Sequence, residues 1–378
     1  MKKKKFFLVT TIPNSLNFFS GQYHFLKNDF DLTAISSVKN TLEEFGKTQG
    51  IKVHFIPMVR NISFFKDFYC LFCFISYFCK ERPYIVHGNT PKGSLLSMLA
   101  AWMTRVPVRI YMCHGLRYQG FSGFKRKLLM FMEKVSCYCA TDIICVSKGV
   151  NQCLHEDKIT NKKTVVIWNG SVKGIDIERF NPHKVYDKEG LRKQFGIKEG
   201  EYVLSFIGRI NKDKGIDELV EAYCILQQKY PMMILLLVGR METEENPVSD
   251  STINAINTNK GIIATGRQSD VPAFLAITDV FVFPSYREGF GLSLMEAGAM
   301  GVPAIASDII GCNEVVVNGE TGLLIPPHSS HAIVDAVEKL YDDKALYEKF
   351  QLNCRESIVN RYEQNNLWEQ YRNYYLSK

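Results

Sequence analysis

The sequence predicts an α/β protein made of two doubly wound parallel sheets. Three observations lead there. Short β-branched runs alternate with longer amphipathic stretches, and this alternation stops and restarts once near the middle of the chain. The length of 378 residues, with 46% hydrophobic and 22% charged content, suits two domains with substantial cores. That apolar content also excludes global disorder. The charge-free run Phe68–Cys79 falls well short of the ~20 residues a spanning helix needs, so an integral membrane protein of that kind is excluded.

Taken in order, the first half offers strands at Phe6–Thr10, Leu32–Ser36, Val53–Ile56, Ile85–His87, Val108–Met112, Asp142–Val146 and Thr164–Ile167. Helices fall between them near Gly21–Lys27, Leu42–Gln49, Ser63–Lys80, Gly93–Thr104, Phe124–Ala140 and Lys148–Leu154. Asn169–Asp187, with Gly170, Gly174 and Pro182, suits a linker. Strands then return at Val203–Ile207, Ile234–Val238, Ile262–Ala264, Val280–Phe283, Ala304–Ser307 and Gly322–Ile325. Their helices are Ile216–Lys229, Ser251–Asn257, Val271–Ala276, Gly291–Met300 and His331–Tyr341. Lys344–Asn360 and Gln364–Leu376 are helical with no strand after them, and Trp368, Tyr371, Tyr374 and Tyr375 give the last one a face to bury. Two Rossmann-like domains facing a central cleft, over residues 1–180 and 181–360, are the expected architecture. Residues 361–378 then form a helix returning to the first domain, so that the C-terminal helices brace both lobes.

Charge is distributed unevenly. Residues 1–130 hold 19 Lys and Arg against 6 Asp and Glu, whereas residues 131–378 hold 27 against 33. Lys2–Lys5 and Lys125, Arg126 and Lys127 suit either an anionic lipid surface or a plain solvated face. Nucleic acid is not expected, because no aromatic-interleaved basic motif or zinc-finger spacing is present. The opening Met1-Lys2-Lys3-Lys4-Lys5-Phe6-Phe7 resembles the start of a signal peptide. Its apolar run ends at Pro13-Asn14-Ser15 without a cleavage site, so it fits the first strand of a cytoplasmic protein better.

The eleven cysteines are odd in number, and most stand in apolar surroundings, including Cys70, Cys73, Cys79, Cys113 and Cys145. They are expected to be buried, reduced thiols. Cys70 and Cys73 have C-x-x-C spacing, but no second pair or His follows at zinc-site distance. Phe64, Phe65, Phe68, Phe72, Phe74 and Phe78 recur through the same stretch, and a helix packed on a sheet accounts for most of them.

Ligands of open α/β sheets bind beyond the carboxyl ends of the strands. After Val203–Ile207 comes Gly208-Arg209-Ile210-Asn211-Lys212-Asp213-Lys214-Gly215, where Arg209 can grip phosphate oxygens and Lys214 can add a point charge. After Val280–Phe283 comes Pro284-Ser285-Tyr286-Arg287-Glu288-Gly289-Phe290-Gly291, followed by a helix carrying Glu296. Gly289 and Gly291 let backbone approach an anion where a helix begins. Two carboxylates also suit a glycosidase, which would place them roughly 5 to 9.5 Å apart around a scissile bond, but the adjoining cations favour a diphosphate. Gly46-Lys47-Thr48 lacks the upstream glycine of a P-loop, since Thr41 stands there, and no convincing Ser-His-Asp arrangement or metal-binding Asp-x-Asp is found.

These residues resemble the retaining glycosyltransferase family 4, of the GT-B fold, as found in bacterial surface-polysaccharide enzymes. The resemblance rests on Gly208-Arg209 with Lys214, on Glu288 and Glu296 around Gly289-Phe290-Gly291, and on Gly301-Val302-Pro303 and Asn318-Gly319-Glu320-Thr321-Gly322. It implies that Arg209 and Lys214 neutralise the diphosphate of a nucleotide sugar, with a UDP-sugar favoured. It places Glu296 on the ribose, Glu288 on the donor sugar, the backbone of Gly289, Phe290 and Gly291 at the sugar-phosphate, and the loop of Thr265, Gly266 and Arg267 at the base. His114, after Val108–Met112, matches the family's cleft histidine, and Arg117 is assigned to acceptor or phosphate. No cofactor or metal is expected. The implied acceptor is an undecaprenyl-diphosphate-linked glycan in capsule, exopolysaccharide or O-antigen assembly, handled in the cytoplasm or at the inner face of the membrane. A nucleotide-sugar epimerase and a non-catalytic nucleotide-sugar-binding subunit are the alternatives. One departure stands out: Thr11–Gly21 replaces the glycine-rich loop that many relatives carry after the first strand.

Overall fold

The first sheet grows outward in both directions from its opening strand. β1 (Lys4–Val9) is followed by α1 (Gln22–Leu26), β2 (Phe30–Ser36), α2 (Lys39–Gln49), β3 (Lys52–Phe55), α3 (Phe64–Glu81) and β4 (Ile85–Gly88). Then come α4 (Pro91–Met103), β5 (Val108–Cys113), α5 (Gly123–Cys139), β6 (Asp142–Cys145), α6 (Lys148–Glu156) and β7 (Thr164–Val166). All seven strands are parallel, in the order β3-β2-β1-β4-β5-β6-β7, so the winding reverses between β1 and β4. Loops at that reversal are where a doubly wound sheet leaves room for a ligand.

This computed structural model describes residues 3–244 and 246–378, and Lys2 of the basic N-terminal run lies outside them. The chain divides into two units: one runs to Gly174 and regains Asn365–Lys378, and the other is Ile175–Gln364. The divisions thus fall at Gly174/Ile175 and Gln364/Asn365, a few residues from the expected 180 and 360.

The second unit contains α7 (Lys188–Gln194), β8 (Tyr202–Ile207), α8 (Ile216–Lys229), β9 (Met233–Val238), α9 (Asp250–Thr258), β10 (Ile262–Gly266) and α10 (Val271–Ala276). It continues through β11 (Val280–Phe283), α11 (Leu292–Ala299), β12 (Ala304–Ser307), β13 (Gly322–Ile325), α12 (Ser330–Asp342) and α13 (Lys344–Tyr362). Its parallel order is β10-β9-β8-β11-β12-β13, with the reversal between β8 and β11. β9 is buried along its whole length, as a continuous Met-Ile-Leu-Leu-Leu-Val run in the middle of a two-faced sheet should be. In α13, Phe350, Cys354, Ile358 and Tyr362 form a buried i, i+4 stripe that packs on α11.

The final helix, α14 (Gln364–Leu376), joins the first unit. Trp368 Nε1 donates to the Lys173 carbonyl at 3.1 Å, Tyr371 Oη to the Ser171 carbonyl at 2.9 Å and Tyr374 Oη to Asp142 at 3.0 Å. Trp368 and Tyr371 are buried and Tyr374 partly so, and each still satisfies its polar tip.

Four sequence expectations change. α7 lies just past the expected linker, where no helix was assigned, and the Asp187 carboxylate caps it by accepting from the Gly190 amide at 2.8 Å. Short 3₁₀ turns at Pro13–Phe19, Arg117–Gly120 and Lys212–Lys214 occupy expected loops. The phenylalanines of α3 are mostly outside. Cys70, Phe74 and Phe78 form its buried i, i+4 stripe, whereas Phe64 and Phe65 are 86% and 92% exposed and Phe68 and Phe72 are also exposed. One face of a helix suffices to meet a sheet, and the remaining aromatics have nowhere inside to go. Finally, all eleven cysteines are free and Cys70, Cys113 and Cys145 are buried, but Cys73 is half-buried and Cys79 exposed.

Candidate functional site

In the second unit, the loops leaving β8 and β11 are stitched together by charge. The 3₁₀ turn Lys212–Lys214 closes with Gly215 at φ +67, and a Cβ there would lie 2.1 Å from the Pro284 carbonyl oxygen. Only glycine permits both the left-handed backbone and that approach. Across the contact, Arg287 pairs with Asp213 at 2.7 Å and Tyr286 Oη donates to Glu218 at 2.6 Å. The Lys214 ammonium pairs with the Glu288 carboxylate, which also accepts from Ser285 Oγ at 2.9 Å. Lys214 also stands 5.0 Å above the Phe283 ring. Both members of the Lys214–Glu288 pair are mostly buried, with side chains 17% and 13% exposed. The pair is thus held in place before any anion arrives.

Arg209 is placed differently. Its side chain is 54% exposed and lies 3.7 Å from Glu242, the geometry of a weak surface pair. Gly208 ends β8 by donating its amide to the Val238 carbonyl at 3.0 Å, so it spaces the sheet end and offers no free N–H. Arg267 stands exposed on the loop after β10.

The expectation for Gly289, Phe290 and Gly291 needs one correction. The Gly291 amide is already engaged, donating to the Gly311 carbonyl at 3.0 Å, and the Phe290 ring packs edge-on against Tyr362 at 5.4 Å. Ser293 and Leu294, in the first turn of α11, have no backbone acceptor among the described residues. They supply the helix-start donors that an anion can use. Glu296 follows within α11, partly exposed.

Two contributors were missed by sequence reasoning. Gly311 has φ +81, and a Cβ on it would meet the Gly289 carbonyl group at 2.9 Å, so it locks the backbone beside Glu288. Its signal was a glycine four residues past the buried strand β12. Asn211 is buried with its Oδ1 unpartnered, an acceptor in the Arg209–Lys214 loop that residue type alone did not reveal.

In the first unit, His114 follows β5 and donates from Nε2 to Asn89 Oδ1 at 2.9 Å. The 3₁₀ turn Pro13–Phe19, standing where a glycine-rich loop was expected, brings Phe18 and Phe19 to within 6.0 and 6.3 Å of its ring. Burial pushes the imidazole down to about 4, keeping it neutral near pH 7. Arg117 lies exposed on the next turn.

Two family models cover these units: Glycosyltransferase Family 4 over residues 24–176 and Glycosyl transferases group 1 over residues 187–357. The capsular polysaccharide biosynthesis glycosyltransferase CapM of Staphylococcus aureus is 35% identical over 378 residues, covering 99% of this chain and 97% of that protein. This chain belongs to glycosyltransferase family 4. A second family relative, the UDP-Gal:alpha-D-GlcNAc-diphosphoundecaprenol alpha-1,3-galactosyltransferase of Escherichia coli, is 30% identical over 90% of this chain and 87% of its own. Among solved structures, Anabaena Alr3699/HepE in complex with UDP-glucose matches with a TM-score of 0.81 at 18% identity, over 99% of this chain and 100% of that one. A glycosyltransferase from Rickettsia africae matches at 0.80 and 22% identity, over 99% of this chain and 98% of that one. These likenesses establish the GT-B fold for the present family member, with its sheets of seven and six strands.

Proposed function

We propose that this glycosyltransferase moves a sugar from a UDP-sugar, with retention of anomeric configuration, onto an undecaprenyl-diphosphate-linked glycan during capsule, exopolysaccharide or O-antigen assembly. The observation that carries the reading is the braced Lys214–Glu288 pair beside the open amides of α11. Lys214 and Arg209 take the diphosphate charge that builds on the leaving group, and the α11 amides add fixed dipoles. Glu288 accepts from hydroxyls of the donor sugar, Glu296 from the ribose, and Arg267 meets the base. His114 serves the same reaction from the first unit, and Arg117 meets the acceptor. In the retaining step, the bond from the anomeric carbon to the diphosphate oxygen breaks as the acceptor hydroxyl attacks on the same face. The hydroxyl proton passes to the departing diphosphate oxygen, so no protein base is consumed. Side-chain cations supply the charge neutralisation, and the proposal is that no metal is needed; activity undiminished by a chelator is the expected result. The acceptor class draws support from the names of the Escherichia coli relative and of the Campylobacter jejuni N,N'-diacetylbacillosaminyl-diphospho-undecaprenol alpha-1,3-N-acetylgalactosaminyltransferase, 28% identical over 76% of this chain.

The deciding experiment incubates the purified protein with a panel of nucleotide sugars and undecaprenyl-diphosphate-linked acceptors and identifies products by mass spectrometry and anomeric NMR. Transfer with retained configuration supports the proposal. An isomerised nucleotide sugar formed without acceptor identifies an epimerase, and binding without turnover identifies a non-catalytic subunit.

The same reading places the protein on the inner face of an anionic membrane. Among the described residues no helix is long and apolar enough to cross a bilayer. α4 packs between α3 and α5. Exposed Phe64, Phe65, Phe68 and Phe72 on α3, with Phe124 and Phe131 on α5, accompany exposed Lys66, Lys125, Lys127 and Lys134. Aromatics that enter the headgroup layer beside lysines that meet anionic lipid make a consistent surface. Not every cation of the basic third is spare: Lys5 pairs with Glu81 at 2.7 Å and Arg126 with Asp157 at 3.6 Å. Cosedimentation with phosphatidylglycerol vesicles is expected to weaken with salt and to fall in the Phe64→Ser, Phe65→Ser double variant. Equal binding by both proteins removes α3 from the surface.

A further inference from the structure

His114 is the partly exposed end of a chain of hydrogen bonds whose directions can be assigned one by one. Asn89 is fully buried, and its Nδ2 lies 2.8 Å from His87 Nδ1 and 3.1 Å from the His87 carbonyl oxygen. A carbonyl only accepts, so the amide nitrogen of Asn89 faces His87 and its oxygen faces His114. Reversing the amide would set two carbonyl oxygens against each other in a fully buried site.

With Asn89 fixed, the histidines follow. Asn89 Oδ1 can only accept, so His114 Nε2, 2.9 Å away, must carry the proton. His87 Nδ1 accepts from Asn89 and is bare, which puts the His87 proton on Nε2, 3.3 Å from Tyr375 Oη on α14. Phe6 and Phe19 close around His87, and Phe6 also meets Tyr375 edge-on at 5.0 Å. Burial pushes His87 down to about 3, as it lowers His114, so both rings are neutral and each has one donor and one acceptor nitrogen. No hydrogen-bond partner meets His114 Nδ1 among the described residues.

We infer that Asn89 is a positioning residue which, backed by His87 and Tyr375, holds His114 with its proton on Nε2, so that Nδ1 is presented as a bare acceptor for a hydroxyl of the donor sugar. The inference rests on the reading of His114 as a donor contact and sharpens it. A neutral ring with an open Nδ1 lone pair recognises a hydroxyl and does not neutralise phosphate. The chemistry therefore selects donor sugars that have a hydroxyl at that point over their deoxy counterparts.

The test is ¹⁵N NMR of the full chain labelled at histidine, with His87 and His114 assigned by the loss of their signals in single alanine variants. The unsubstituted protein is expected to show a protonated Nε2 and an unprotonated Nδ1 for both rings. A proton on His114 Nδ1 overturns the inference without any variant having to fold. Asn89→Asp keeps the side-chain volume and, once ionised at alkaline pH, can only accept, so there it is expected to move the His87 proton from Nε2 to Nδ1, a response that a packing role would not produce. An unchanged His87 tautomer in that variant also overturns the inference. Loss of one hydroxyl contact should raise the donor KM of His114→Ala about three- to tenfold. An unchanged KM there removes the donor-contact reading, whereas the tautomers report on the relay alone, so the two failures are told apart.

Discussion

The two units wind their sheets alike and finish them in opposite materials. In the second, the loops after β8 and β11 are joined by ion pairs, Asp213 with Arg287 and Lys214 with Glu288, on partly exposed ground. In the first, the groups around His114 are neutral, buried and linked through Asn89 to His87 and Tyr375. The difference teaches that each end is built for what it meets. Charged loops that neutralise one another can rest in water and yield a cation when a dianion arrives. A buried site cannot hold unpaired charge, so it orients neutral hydrogen bonds instead, and each must be satisfied.

Breaking the charged end should give the largest effect. Lys214→Ala is expected to lower turnover at saturating donor by about 100- to 1,000-fold while circular dichroism stays native. Product formation at the wild-type rate would remove Lys214 from the diphosphate. Arg209→Ala should cost less, about tenfold, because Arg209 stands further into solvent and its pairing with Glu242 is loose. An equal or greater loss for Arg209 would show that exposure in the free protein misjudges its part.

Gly311→Ala tests whether the backbone beside Glu288 is as fixed as the ion pairs. The added Cβ would meet Gly289 at 2.9 Å on a backbone at φ +81, so a stability loss of about 1–3 kcal/mol is expected, read by denaturant unfolding, with a fall in donor affinity. An unperturbed variant would mean the loop gives way freely.

The smallest effect sharpens the neutral end. Glu133, buried beneath Tyr111 on α5, is pushed by burial up to about 7. In the unfolded chain the carboxyl ionises near 4.5, so between about pH 4.5 and 7 the folded state binds the extra proton and stability falls as pH rises. Glu133→Gln should remove that falling contribution and gain roughly 1–3 kcal/mol at pH 8. His87 and His114 act in the other direction: their folded values lie below the ordinary 6.5, so their contribution is lost as pH falls below about 6.5. A Glu133→Gln curve that superimposes on the wild-type one would show that Glu133 is not buried in solution.

The strands were legible because continuous apolar runs such as Met233–Val238 admit few other placements, and α8 and α10 match their expected bounds. The loops that carry Lys214 and Glu288 could be placed from sequence because each lies between an apolar strand and the helix that follows it. Sequence could not show that Lys214 and Glu288 pair, since 74 residues separate them and only the fold supplies the contact. Gly291 carried the same ambiguity: a glycine at a helix start suits an anion or a carbonyl, and here Gly311 provides the carbonyl. His87 and Asn89 gave no signal, because a polar residue at a strand end is ordinary until its partners are known. The α3 phenylalanines misled because composition reports how apolar a helix is but not which of its faces finds a neighbour.

Cys79 closes that same helix and is exposed, whereas every other thiol is wholly or partly covered. A polarity-sensitive maleimide dye would therefore attach there first. That single chemical handle turns α3 into its own reporter: the emission of one fluorophore, followed as vesicles are titrated in, would say whether this edge of the protein leaves water.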